Sequence, residues 1–207
     1  MITLLLNLLG CSGKTKQREK SAETDTLNNH IIQSVEAFEN RPIHRVLTVQ
    51  IIDSTSDDEL LQTVIDNLTE KLPIDYSKEY QVVSGWSKPQ QAIYITWWLE
   101  AEINNGGFNQ YYANPAGQFA ALAPPALNLI GASGLSSLVA RANQLYTNEK
   151  EKITRHQDGT LEGFSKSYDD NPLEKFDDEF YDLNTKEALQ KIQVAFIRNH
   201  KQDFIDK

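Results

Sequence analysis

An all-α fold, an irregular single-domain helical bundle, is what three features of this 207-residue chain predict. Apolar residues recur at helical spacing in segment after segment. Residues 92–99, AIYITWWL, are apolar on every side and fit a helix buried along the axis of the domain. The run 45–52, RVLTVQII, is rich in β-branched residues but finds no second strand of similar quality, and an unpaired strand has no stability of its own. With 40% apolar content the chain fills one core and is small for two ordinary domains.

At the N-terminus, residues 1–10 are apolar but far shorter than the roughly 20 residues that span a bilayer. They end in Leu8-Leu9-Gly10-Cys11, ahead of a polar run. Residues 1–11 resemble a bacterial lipoprotein signal whose lipobox cysteine, Cys11, is lipidated and becomes the mature N-terminus. The absence of Lys or Arg before the apolar residues departs from that pattern. On this reading 12–30 is a flexible polar tether, and Lys14, Lys16, Arg18 and Lys20 lie beside anionic headgroups. The expected location is then the cell envelope, with membrane attachment only through Cys11; without processing it is the cytoplasm. As the sole cysteine, Cys11 leaves no intramolecular disulfide to form.

A single helical domain is expected over 31–207. Ile31, Ile32, Val35 and Phe38 fall at helical spacing over 31–39, and Pro42 stops that helix. Residues 45–52 are expected to be extended. Ser56-Asp57-Asp58-Glu59 has the spacing of a capping box and opens a helix over 57–72, with Leu60, Leu61, Val64, Ile65 and Leu68 on one face and Pro73 after it. Further helices are expected over 89–104, 135–150 and 186–204, the last with Asn184 as cap and Glu187 in the reciprocal role. Pro124-Pro125 prevents one continuous helix over 118–130, so two short helices meeting at the prolines are predicted.

The segment WWLEAEINNGGFNQYYANPAG, 97–117, carries the most specific pattern. Glu100 and Glu102 approach the end of an apolar helix, where the macrodipole disfavours negative charge and something must offset it. Residues two apart point about 200° from one another, so the two carboxylates do not form an acid–base pair. The structural reading has Glu102 accepting N–H bonds from the turn at 104–108. The enzymatic alternative places Glu102, Asn104, Asn105 and Gln110 in a cleft. Asn105-Gly106-Gly107 supplies the conformational freedom that a tight helix-to-helix reversal needs. A phosphate loop is a weak reading, because no strand precedes the glycines and no Lys or Ser/Thr follows at the required spacing. Phe108, Tyr111 and Tyr112 read as core; Asn109, Gln110 and Asn114 read as local capping groups.

These residues, together with LNLIGA at 127–132 and NPLEKFDDEFYDL at 171–183, resemble a bacterial family of domains whose best-known member is a DNA-mimic protein. The resemblance covers about 57–204. Its signature positions here are Trp98, Glu102, Asn104, Asn105, Gly106, Gly107, Phe108, Gln110, Tyr111, Asn114, Gly117 and Gly131, which read as scaffold. It implies a mostly α-helical domain, an acidic surface that occupies a transcription factor's DNA-binding face, and a homodimer.

The net charge of −9 is uneven, with acidic segments flanking a nearly neutral centre at 86–148. No basic stripe is available to neutralise phosphates, so direct nucleic-acid binding is not expected. The densest acidic stretch holds Asp169, Asp170, Glu174, Asp177, Asp178, Glu179 and Asp182, with Lys175 alone interspersed. A basic protein surface, such as that of a DNA-binding protein, is the expected partner. The histidines His30, His44, His156 and His200 are scattered and form no metal-ligand spacing. Neither a metal nor a cofactor is expected, no nucleophile motif is present, and a non-enzymatic binding role is favoured.

Overall fold

The structure is a computed structural model and describes residues 32–206. Contacts divide the chain into two compact units, Met1–Pro42 and Ile43–Lys207. In the first unit, α1 covers 32–39, where the spacing of Ile32, Val35 and Phe38 predicts a helix. Its last turn is closed by Asn40, which donates to the Glu36 carbonyl at 2.7 Å. Cys11, the tether 12–30 and residue 31 lie outside the described residues.

The second unit is helical throughout, and no strand occurs among the described residues. The extended segment expected over 45–52 is therefore corrected. Thr48 accepts the Ile51 N–H and starts α2, Val49–Ser54, whose Ile52 is fully buried. β-Propensity is a weak preference that tertiary packing overrides. Leu47 pairs with the far end of the chain instead: its N–H donates to Asp206 Oδ2 at 2.7 Å and its carbonyl accepts the Asp206 N–H at 2.9 Å.

α3, Asp57–Thr69, buries the predicted face of Leu60, Leu61, Val64, Ile65 and Leu68. Ser56 does not cap its backbone, because its hydroxyl donates to the Glu59 carboxylate at 2.9 Å. A complete capping box occurs further on, where Ser87 and Gln90 reciprocate at the start of α5, Lys88–Ala113, after the short α4, Glu79–Gly85. A 3-10 helix, Pro115–Phe119, leads into α6, Ala123–Ile130. As expected, 118–130 is not one continuous helix, but the break falls at 120–122, ahead of Pro124 and Pro125. They fall in the first turn of α6, where the missing donor would have had no intrahelical acceptor.

α6 stops at Gly131 with φ 97°. α7, Ser133–Asn148, α8, Lys150–Thr154, and α9, Leu161–Lys166, follow. The single helix expected over 186–204 is corrected to two, α10, Glu174–Glu187, and α11, Leu189–Asn199, divided at Ala188 with φ 51°. Asn184 is inside α10, yet its Oδ1 accepts the Leu189 N–H at 3.1 Å and so serves the start of α11 from the preceding turn. α5 is the axis of the unit and packs against α3, α6 and α10, while α7 spans α6 and α10.

Candidate functional site

The 26-residue α5 is kinked where the glycines stand. Gly106 (φ −161°, ψ 28°) and Gly107 (φ 69°, ψ −173°) are non-helical, and the second conformation is essentially closed to other residues. Asn105-Gly106-Gly107 therefore separates two helical segments, as the sequence suggests, and the second returns far enough along the first for Asn114 Nδ2 to reach Glu102 Oε2. Polar groups near the break find partners outside the helix. The Phe108 N–H donates to Asp177 Oδ1 at 2.7 Å, the Ile103 carbonyl accepts from the Tyr181 hydroxyl at 2.9 Å, and the Gly106 carbonyl accepts from the Tyr168 hydroxyl at 2.9 Å. A Cβ at Gly107 would overlap the Asp177 carboxylate, and one at Gly106 would overlap Gln110 and Tyr168.

Glu102 is buried at 9% exposure but does not accept from the 104–108 turn as the sequence suggests; Asp177 takes that role. The geometry explains the exchange. The kink turns the following segment back along the helix, so Gln110 Nε2 and Asn114 Nδ2 both reach Glu102 Oε2, at 2.7 and 2.8 Å. Glu100 lies on another face, accepts from Asn184 Nδ2 at 2.9 Å, and has its carboxyl pushed up by burial against the effect of that hydrogen bond. Burial also pushes Asp177 up to about 6, with Asp178 and Glu174 adding to it and the Phe108 N–H opposing.

Phe108 is the apolar counterpart of this polar lock. Fully buried, its ring meets Tyr111, Tyr112, Phe176 and Phe180 at centroid distances between 6.1 and 6.5 Å. Asn109 donates to Ser167 Oγ at 2.7 Å and accepts from Asn171 at 2.9 Å. The signature is thus the surface on which α10 and the segment before it dock.

The remaining signature residues have separate places. Trp98 stands edge-on to Trp97 and Tyr94 in the apolar half of α5. Gly117 lies so close to the Tyr111 carbonyl that no side chain fits, and Gly131 ends α6. Asn104 and Asn105 are exposed. Sequence reasoning assigned no role to Ser167, Tyr168 or Tyr181, although Tyr181 lies inside the quoted NPLEKFDDEFYDL segment.

The sequence profile of the DMP19-like protein family matches residues 84–200 of this chain. The chain belongs to that family. A search of curated proteins found no match. The DMP19-like match begins in α4, takes in the whole kinked helix and reaches the end of α11.

In this DMP19-like protein the seven acidic candidates divide in two. Asp177 is half-buried against the kink, and Glu179 is paired with Arg141 of α7. Asp169, Asp170, Glu174, Asp178 and Asp182 are exposed, and none is ion-paired among the described residues. Glu174, Asp178 and Asp182 follow at four-residue intervals on one face of α10, in steps of about 6 Å. The described residues contain no group of three His, Cys, Asp or Glu side chains placed to hold a metal.

Proposed function

We propose that this DMP19-like protein is an acidic binding protein that acts without catalysis, occupying the basic DNA-binding surface of a partner protein. The observation that carries the reading is the exposed row Glu174, Asp178 and Asp182 with Asp169 and Asp170 beside it. One charge per roughly 6 Å along α10 is somewhat over half the linear charge density of a DNA strand, which carries one per about 3.4 Å. Such a line of carboxylates competes for the same Lys and Arg side chains that neutralise phosphates. The partner reading follows the family; a homodimer presenting two such rows is part of the same proposal.

The test is capture of host DNA-binding proteins on the immobilised protein at low salt, with double-stranded DNA as competitor. The expected result is retention that DNA and salt abolish and that is lost when the five exposed carboxylates become Asn or Gln. Retention indifferent to DNA or to the five substitutions overturns the reading.

A second reading concerns location, and the observation in its favour is the Leu8-Leu9-Gly10-Cys11 run ahead of a polar segment. A lipidated Cys11 would anchor the protein in the cell envelope and direct its carboxylates to a basic protein met there. Fatty-acid labelling that disappears in Cys11→Ala supports envelope attachment; equal, absent labelling in both proteins removes it.

A further inference from the structure

A groove of about 710 Å³ opens between α3 and α11. That volume lies within the roughly 300–1,000 Å³ of pockets that hold drug-sized ligands. Trp97 of α5 lines it together with Leu61 of α3 and Val194 of α11, and the exposed Ala195 is too small to fill it. Trp97 is where the all-round apolarity of 92–99 exceeds the cover that the fold supplies. Ala92, Ile93, Tyr94, Ile95 and Leu99 are buried, whereas Trp97 stays partly uncovered. Trp98 meets its ring edge-on at 4.9 Å, and its indole N–H makes no hydrogen bond among the described residues and is not sealed from solvent. A partly open indole in a concavity combines a large apolar face with a polar handle, the character of a binding anchor.

The charged side chains around the groove divide into an engaged pair and two that stand free. Arg198 donates to Asp57 Oδ1 from Nη2 at 2.6 Å and from Nε at 3.1 Å, and also to the carbonyls of Thr55, at 2.6 Å, and Ile52. Asp58 on α3 and Lys191 on α11 are exposed, and neither has a hydrogen bond or an ion pair among the described residues. Each wall thus presents one unengaged charge, and the two are of opposite sign. Amides accompany them. Gln62 donates its Nε2 to Asp66 Oδ1 at 2.8 Å, which leaves Oε1 as an acceptor, and the exposed Gln190 is uncommitted. Side-chain amides match peptide groups, because each side is both donor and acceptor.

We propose that this groove receives a peptide segment of a partner protein, with a large apolar side chain against Trp97, a basic residue toward Asp58 and an acidic residue toward Lys191. The balance of charge selects the occupant. A purely anionic ligand meets Asp58 and a purely cationic one meets Lys191, whereas a segment of mixed sign complements both walls. Apolar contact with Trp97 supplies most of the affinity, and the exposed rim charges fix the register. The inference stands on α3, α5 and α11 and is independent of the acidic row on α10.

The probe is the acetylated and amidated tripeptide Lys-Leu-Glu, titrated against the full chain. Nuclear magnetic resonance follows the Trp97 indole N–H and the side-chain amides of Gln62 and Gln190. The expected result is weak, saturable movement of these three signals, with Lys-Gly-Glu giving little for want of an anchor. Lys-Leu-Lys and Glu-Leu-Glu should bind about two- to fivefold more weakly than Lys-Leu-Glu. Asp58→Lys makes both walls basic and should move the preference to Glu-Leu-Glu, an exchange of rank that loss of structure cannot produce. Ala195→Trp, at an exposed position, fills the groove and should abolish binding while helical circular dichroism is unchanged. Absent or unsaturable shifts, equal binding of Lys-Gly-Glu, an unchanged rank order in Asp58→Lys, or full binding by a folded Ala195→Trp overturns the inference. So does free leucine binding as well as the tripeptide, which would make the groove a small-molecule pocket. Movement of the same signals with protein concentration alone would put a second copy of the chain there and overturn it too.

Discussion

The two halves of α5 are held in different ways. From 92 to 99 the helix is fixed mainly by apolar and aromatic contact: Ala92, Ile93, Tyr94, Ile95 and Leu99 are buried, Tyr94 lies edge-on to Trp86 at 5.3 Å and to Phe119 at 6.1 Å, and two buried hydrogen bonds, from the Tyr94 hydroxyl to Glu79 and from Gln193 Nε2 to Thr96 Oγ1, supplement that contact. From 102 to 114 it is fixed by hydrogen bonds that run to specific atoms on Asp177, Tyr181, Tyr168, Ser167 and Asn171. Dispersion and hydrophobic burial are non-directional, so the purely apolar positions of the first half, unlike Tyr94 and Thr96, accept many side chains of similar volume. Hydrogen bonding is directional, and leaving one buried partner unmatched costs the full desolvation of the other. The polar half is where a family signature has to be spelled out residue by residue.

The sharpest way to break the comparison is Gly107→Ala. It forces a side chain into a positive-φ conformation and onto the Asp177 carboxylate, and a loss of about 3 kcal/mol in denaturant unfolding is expected. Gly85→Ala, with open space around it, should change stability by about 1 kcal/mol or less. Next in size is Asn184→Ala, which removes both the donor to Glu100 and the acceptor for Leu189; about 1–3 kcal/mol is expected by thermal or urea unfolding.

Asp177 gives a pH test. Its folded value is raised to about 6 from an ordinary 3.8, so the folded state binds the proton more tightly than the unfolded one. The stability this group contributes is present below about pH 4 and is lost as pH rises through 6. Asp177→Asn should therefore gain on the wild type in melting temperature between pH 4.5 and pH 7.5, and an unchanged difference would remove the burial argument. The smallest effect on the fold is expected for the outer row. Changing Asp169, Asp170, Glu174, Asp178 and Asp182 to amides should move stability by only about 0.5 kcal/mol per site while abolishing salt-sensitive association.

These contrasts also explain what was legible in the sequence. The apolar face of α3 and the all-round apolarity of 92–99 were readable, because burial follows from periodicity alone. The Asn-Asn-Gly-Gly break between two helical segments was readable, but what holds it was not. What holds it is Asp177 and Tyr181, some 70 residues further along the chain, and no local rule encodes that distance. Glu102 was correctly placed near the turn but given the wrong partners, since Gln110 and Asn114 reach it only after the helix has bent. The run 45–52 carried strand propensity, and its actual partner at Asp206 lies near the opposite terminus. The acidic stretch was visible as composition; its division into committed and exposed carboxylates needed the helical face and the neighbour Arg141.

α10 is fastened along its length. Asp177 and Tyr181 bond to α5, Phe176 and Phe180 are buried beneath it, and Glu187 Oε1 accepts the Gly134 N–H at the start of α7. A helix pinned at so many points is a ruler. The intervals between Glu174, Asp178 and Asp182 are set when the chain folds, and a binding partner spends little entropy ordering them. The same stiffness imposes a cost on mismatch, because cations at other intervals cannot draw the row into register. Such a surface discriminates by spacing before any side chain is read.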